Sequence, residues 1–334
     1  MKVKAYIKKS GSDPIQLGEI EHNPAPTDLV IKTTHVGLSA GDLYILDDVW
    51  GVTKYPTIGT GETIGVVETV GSKTRGFSVG DRVGVSYIHK TCLVCRYCRA
   101  GLEHYCKDQV NMELGAIGGF AEKITIDYRF AVKIPKGLSS EKTTPLICSG
   151  LTVYSAIKKA RLVKGSRVGI IGMGGLGCLA LKVLTIQNFK VSLFSSSYAK
   201  KQVALKLGAS KFIKTSDLSK TKKDREKYEL ILNTSPGKIY LNTYLDMLEP
   251  EGSFCYIGLP FEDQIFRAAK LADYSSRRIY GSYVGSLREL KELLQFAVKY
   301  NLEAEIITMP ISDFSKAIRH LKSKENYKKV VLYW

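Results

Sequence analysis

Four cysteines, Cys92, Cys95, Cys98 and Cys106, fall within fifteen residues of a 334-residue chain, while Cys148, Cys178 and Cys255 stand apart. Zinc in a structural site takes four thiolates at tetrahedral corners about 2.3 Å away, and cysteines closely spaced on one looping segment supply them. Disulfides and coincidence are the competing readings. Clustering of this kind, in a chain whose start carries no secretory signal, points to metal. A closed shell of four thiolates leaves no open coordination position. The expectation is therefore one structural zinc per chain, which staples a lobe and does no chemistry.

A second stretch, Arg167 to Gly177, reads RVGIIGMGGLG. Val168 to Ile171 is a short apolar run that reads as a buried parallel strand. Gly172, Gly174, Gly175, Leu176 and Gly177 follow, and Cys178 to Ile186 is an apolar stretch of helical length. Strand, glycine turn and helix form the context in which G-x-G-x-x-G signals a dinucleotide. The turn can be tight, the backbone can approach a pyrophosphate, and the helix N-terminus offers free N–H groups. A bare glycine-rich turn would suit any α/β protein; the flanking elements favour the nucleotide.

The next strand, Val191 to Ser195, ends in Ser195-Ser196-Ser197, with Lys200 and Lys201 shortly after. No acidic residue occurs from Cys178 through Ser216. A carboxylate about 20 residues past the glycines would bind the ribose diol of NAD. It would repel a 2′-phosphate, which hydroxyls and ammonium groups bind instead. Ser195, Ser196, Ser197 and Lys200 thus point to NADP(H), and a serine that also caps the following helix is compatible with this.

These groups need elements to hold them. Residues 1 to about 148 read as β-rich, with short runs at Val3 to Ile7, Asp28 to Thr33, Ile64 to Val70, Asp81 to Val85, Ala121 to Ile126 and Ala131 to Ile134. Turn signals between them suggest a partly closed antiparallel barrel. From Leu151 helices alternate with short strands, including Lys211 to Ile213, Glu229 to Asn233, Ser253 to Gly258 and Ile279 to Tyr283, with helical pieces such as Lys238 to Met247. That alternation describes a doubly wound parallel sheet, an α/β class of fold. An amphipathic helix (Leu287 to Lys299), a second helix from Phe314 and a last strand (Lys329 to Leu332) follow. The last fifty residues are expected to rejoin the first domain, so that 1–148 and 286–334 form one domain and 149–285 the nucleotide-binding one.

Composition narrows the class. With 44% hydrophobic and 24% charged residues, the chain reads as an ordinary globular protein. No apolar run approaches the roughly 20 residues of a membrane span, and MKVKAYIKKS has no apolar h-region, so the expected location is cytoplasmic. The formal charge of +17 raises the question of nucleic acid. Its densest run, Lys214 to Lys227, is broken by Asp217, Asp224 and Glu226, which fits a solvated mixed-charge surface better than a phosphate-tracking stripe.

The cysteine loop and glycine fingerprint, with Gly118-Gly119-Phe120-Ala121-Glu122, Pro145 to Tyr154, Phe194-Ser195-Ser196-Ser197 and Tyr327-Lys328-Lys329-Val330, resemble zinc-containing medium-chain dehydrogenases/reductases, more narrowly the cinnamyl alcohol dehydrogenase-like branch. The resemblance covers essentially the whole chain. It implies a GroES-like catalytic domain beside a Rossmann domain. It also implies a homodimer in which the last cofactor-domain strand, Ile279 to Tyr283, pairs with its twin. Thr152 matches a position near the nicotinamide, and Lys328 stands where the family usually has Arg, toward the cofactor phosphates.

The family also carries a catalytic zinc held by Cys, His and Cys. Its first ligand motif reads Cys-His-Ser/Thr-Asp, where this chain has Ser39-Ala40-Gly41-Asp42. Its second reads Gly-His-Glu, where this chain has Thr60-Gly61-Glu62; the third ligand survives as Cys148. The catalytic zinc is therefore expected to be absent. Ser39, Tyr44 and His89 are candidate proton donors or oxygen-binders, with Asp42 or Glu62 as orienting acids and Cys148 as the remaining ligand-position residue. Without a Lewis acid, an alkoxide-like transition state loses several kcal/mol of stabilisation. The leading expectation is NADPH-dependent hydride addition to an activated C=C bond, a quinone or an iminium. The alternatives are an alcohol/aldehyde dehydrogenase with an atypical site, and a non-catalytic NADPH-binding redox sensor or nucleic-acid-binding protein.

Overall fold

The structure, a computed structural model, describes residues 1–114, 117–220, 225–323 and 327–334. Its chain divides into two compact units, Met1–Leu151 with Gly285–Trp334, and Thr152–Val284.

In the second unit, six parallel strands lie in the order Lys211–Lys214, Lys190–Ser195, Arg167–Ile171, Tyr228–Asn233, Leu248–Tyr256 and Arg278–Gly281 among the described residues. Val168, Ile170 and Ile171 are buried, as expected of an interior parallel strand whose two faces are both covered. Phe194 and Tyr244 meet edge to face at 5.4 Å in the core, beside Tyr228, Ile231 and Phe254. Burying an aromatic of this size contributes about 1.5–3 kcal/mol. Order reverses on either side of Arg167–Ile171, which places the glycine turn at the carboxyl end of the sheet's switch point.

Several boundaries differ from expectation here, among them the last strand, which runs Arg278–Gly281 where Ile279 to Tyr283 is expected. Leu248–Tyr256 starts well before Ser253 and stops short of Gly258, because Pro250-Glu251-Gly252 reads as a turn but is taken up as a register shift within the strand. The helix expected over Lys238 to Met247 is only Leu241–Leu245: the chain bends at Gly237, and Tyr240 at the N-cap supplies no side-chain cap.

The first unit is built on a sheet ordered Ile306–Pro310, Lys329–Tyr333, Asp28–Leu38, Thr63–Val70, Arg82–Val85 and Ala131–Lys133, with Lys123–Asp127 also paired to Asp28–Leu38. Asp28–Leu38 runs past the expected end at Thr33. A register shift between Thr33 and His35 lets it continue, and one strand thereby pairs with three others and curls the sheet. Among the described residues the path stays open, consistent with partial closure. It is not wholly antiparallel: Ile306–Pro310 runs parallel to Lys329–Tyr333. Gln16–Glu21, too polar to show an apolar alternation, forms an antiparallel pair with Lys2–Ile7.

Helix Leu287–Tyr300 opens with a Ser286/Glu289 capping box and closes on Asn301 in the left-handed region. Its Leu290, Leu293, Leu294 and Ala297 are buried at helical spacing. Lys329–Tyr333 pairs antiparallel with the end of Asp28–Leu38, Val331 opposite Gly37. Among the described residues no helix is long and apolar enough to cross a membrane.

Candidate active site and cysteine-cluster metal centre

The four clustered cysteines converge. Their Sγ atoms lie within 4.8 Å of one another. Cys95 and Cys98 are 3.5 Å apart, Cys92 and Cys106 3.5 Å, and Cys92 and Cys98 4.0 Å. Tetrahedral thiolates at the usual zinc–sulfur distance would be separated by about 3.8 Å. Local structure sets this up: Cys95 caps the short helix Arg96–Arg99, and its sulfur accepts from the Cys98 N–H at 3.5 Å. Cys92 Sγ accepts from the Cys95 N–H at 3.4 Å. N–H groups aimed at sulfur stabilise thiolates, so the donor set fits a structural zinc.

The glycine turn is similarly specific. Gly172 has φ +92°, which favours glycine. A Cβ on Gly177 would lie 2.1 Å from the Gly172 carbonyl oxygen, so turn and helix can touch only if position 177 is bare. Gly174, the N-cap of helix Gly175–Ile186, has open space where its Cβ would point and offers no side-chain cap. The first N–H groups of this twelve-residue helix therefore receive no side-chain cap from Gly174. The cradle fits a pyrophosphate. Leu176 is partly exposed within this first turn. Ser195 is buried and its Oγ accepts from the Ser197 N–H at 3.3 Å, while Ser196 is exposed. Lys200 Nζ donates to the Met173 carbonyl at 2.8 Å, tying this loop to the glycine turn, and burial pushes its pKa below the usual lysine value. Thr152 is buried in helix Ser149–Lys159.

In the first unit, Ser39 caps helix Ala40–Leu46, and its Oγ donates to Asp42 Oδ2 at 2.7 Å. The Ser39 N–H reaches the same oxygen at 2.7 Å, completing a capping box. Asp42 is buried, and that burial raises its pKa to about 6 against the opposing hydrogen bond from Ser39. Glu62 pushes it further up and Lys329 pulls it down. Gly61 has no room for any side chain: a Cβ there would lie 2.5 Å from Tyr87 Cα. Glu62 Oε1 accepts from the Ser149 N–H at 2.8 Å and from the Ser149 hydroxyl, and Lys329 Nζ lies 3.1 Å from Glu62 Oε2.

Ser39, Asp42, Glu62 and the residue after Cys148 are thus drawn into one neighbourhood. Tyr44 instead packs edge-on against Trp50 at 5.5 Å, and burial raises its pKa. Lys328 lies over the Tyr327 ring at 5.8 Å. Sequence reasoning missed Lys329 and Ser149. The available signal was a lysine heading the otherwise apolar strand KVVLY.

These residues do not fit the family's catalytic zinc. The Ser39 hydroxyl is committed to Asp42, position 61 admits no ligand, and Glu62 is engaged by an ammonium and a serine. Of the three ligand positions, Cys148 alone keeps a soft donor.

Residues 25–136 match the alcohol dehydrogenase GroES-like domain, and residues 175–299 match the zinc-binding dehydrogenase family. The chain is 32% identical over 313 residues to "NADP-dependent alcohol dehydrogenase C" of Mycobacterium bovis, covering 91% of this chain and 90% of that protein. It is 32% identical to the "Probable formaldehyde dehydrogenase AdhA" of Bacillus subtilis, over 92% and 90% respectively. A cinnamyl alcohol dehydrogenase of Sorghum bicolor superposes with a TM-score of 0.95 at 27% identity, covering 100% of this chain and 98% of that one. The Helicobacter pylori enzyme solved with NADP(H) gives 0.92 at 27% identity, over 99% and 98%. The chain belongs to the zinc-containing medium-chain dehydrogenase/reductase family, in its cinnamyl alcohol dehydrogenase-like branch, and is an oxidoreductase.

Proposed function

We propose that the chain is an NADP(H)-dependent alcohol–carbonyl oxidoreductase that keeps one structural zinc on Cys92, Cys95, Cys98 and Cys106 and works without the family's catalytic zinc. The carrying observation is the open glycine cradle followed by a carboxylate-free serine and lysine loop, in a chain whose relatives are named NADP-dependent alcohol dehydrogenases. Those relatives favour alcohol and aldehyde chemistry over the C=C reduction that the missing ligands suggested, so the expectation of an alkene, quinone or iminium substrate gives way to it. NADPH, when bound, supplies the hydride.

The chain's own residues do the rest in this reading. The backbone of Gly172 to Gly177 receives the pyrophosphate, and Ser195, Ser196, Ser197 and Lys200 receive the 2′-phosphate; Thr152 and Lys328 remain candidate cofactor contacts from the family pattern. Ser39 Oγ is the candidate group to pass a proton to the nascent alkoxide. Asp42, 2.7 Å away and with its pKa raised by burial to about 6, restores that proton from its protonated form. With several kcal/mol of Lewis-acid stabilisation missing, conjugated or electron-poor carbonyls are the favoured substrates. The C=C reading keeps one specific support: nothing at position 61 can polarise a carbonyl oxygen. The Arg278–Gly281 edge of the parallel sheet supports a homodimer through that strand.

The test is an NADPH oxidation screen across aldehydes, ketones, enones and quinones, together with zinc counted per purified chain. Aldehyde turnover that survives chelation, with one zinc per chain, is the expected outcome. Two tightly held zincs, or turnover confined to C=C bonds, would sink this reading.

A further inference from the structure

The ligand positions do not suit a metal, yet polar groups beside them remain and are partnered. Glu62 follows Gly61 in the chain, Ser149 follows Cys148, and Asp42 closes the cap begun at Ser39. One cation meets two of these three. Lys329 Nζ lies 3.1 Å from Glu62 Oε2 and 2.8 Å from Ser149 Oγ, and the Ser149 N–H donates to Glu62 Oε1 at 2.8 Å. The Lys329 and Glu62 side chains are 5% and 4% exposed.

Lysine is almost never this deeply buried unless paired, because an ammonium loses its hydration. Strand packing does not call for it: Val330, Val331 and Leu332, which follow it in the strand, are all buried and apolar. Backbone elsewhere has made room for the pair. A Cβ on Gly37 would lie 2.1 Å from Glu62 Oε2, so glycine there is what admits the carboxylate. Three segments far apart in sequence therefore converge on one buried charge cluster containing two carboxylates, Asp42 and Glu62, and one ammonium.

We propose that the Lys329 ammonium stands in for a divalent cation in this unit: it neutralises Glu62, fixes Ser149 and with it the chain at Cys148, and keeps a second metal ion out. Lys329 is a positioning residue in this scheme, and its charge, unlike a metal's, survives chelation. The inference rests on the metal-independent reading above.

Its test uses the full chain and counts metal rather than turnover. Wild type, Lys329→Met, Lys329→Arg and the double variant Lys329→Met/Glu62→Gln are dialysed against Zn2+ or Co2+, with folding followed by circular dichroism. Wild type and Lys329→Arg should hold one ion per chain. Lys329→Met should take a second ion about ten- to a hundredfold more tightly than wild type does. Adding Glu62→Gln should abolish that gain. A folded Lys329→Met that binds no second ion overturns the proposal. So does a wild type that binds two, a result readable even if Lys329→Met fails to fold. NADPH binding measured on the same samples separates the two claims: wild type without NADPH affinity would remove the oxidoreductase reading and leave the role of Lys329 standing.

Discussion

At the scale of the residue, Asp42 carries the sharpest consequence. Burial lifts its pKa from 3.8 to about 6, so the folded state binds a proton at a pH where the unfolded chain has released it. Its ionised form is a burden above about pH 6, and stability is regained as pH falls from there toward 4. This runs opposite to Asp81 and Asp127, whose hydrogen-bonded carboxylates are held below the usual range and lose their contribution in acid. Comparison with Asp42→Asn cancels such background. The stability difference between wild type and Asp42→Asn should move in favour of wild type by up to roughly 3 kcal/mol between pH 7 and pH 4. Denaturant titrations that give a flat difference across this range would refute the assignment.

At the scale of the element, the strand–turn–helix around Gly172 separates folding from binding. Gly177→Ala must push its Cβ against the Gly172 carbonyl, so it should lower stability by roughly 1–3 kcal/mol and weaken NADPH binding together. Gly174→Ala meets no atom within 4 Å, and losing a glycine N-cap to alanine is a modest change. Its Cβ enters the opening at the helix N-terminus. NADPH affinity should therefore fall by tenfold or more, roughly, while the melting temperature changes little. Gly174→Ala binding NADPH like wild type would show that the pyrophosphate sits elsewhere.

At the scale of the whole molecule, a ligand that binds only the folded chain stabilises it by mass action. NADPH at a hundred times its dissociation constant should contribute about 2.7 kcal/mol, a rise of several degrees in a thermal melt. NADH at the same concentration should do much less, because the loop after Val191 offers hydroxyls and ammonium groups and no carboxylate. Equal shifts from both would end the NADP(H) assignment. The +17 charge fits this picture without requiring nucleic acid, since the basic residues are dispersed and interspersed with acids.

What could be read from the chain alone was whatever depends on short-range spacing. The cysteine loop, the glycine turn and the missing carboxylate each lie within a few dozen consecutive residues, where residue type and separation dictate geometry directly. Buried parallel strands such as Arg167–Ile171 were legible for the same reason, while Gln16–Glu21 and the far half of Asp28–Leu38 were hidden by polar side chains and a register shift. The lost histidine at position 61 could be noticed, but its meaning could not. That Tyr87 fills the space beside Gly61 depends on packing between two bends, one just before strand Thr63–Val70 and one just after strand Arg82–Val85. That Lys329 meets Glu62 and Ser149 depends on bringing together residues 267 and 180 positions apart. Charge partners at such separations leave no periodicity in a sequence; only the folded sheet, by burying both ends together, makes them choose each other.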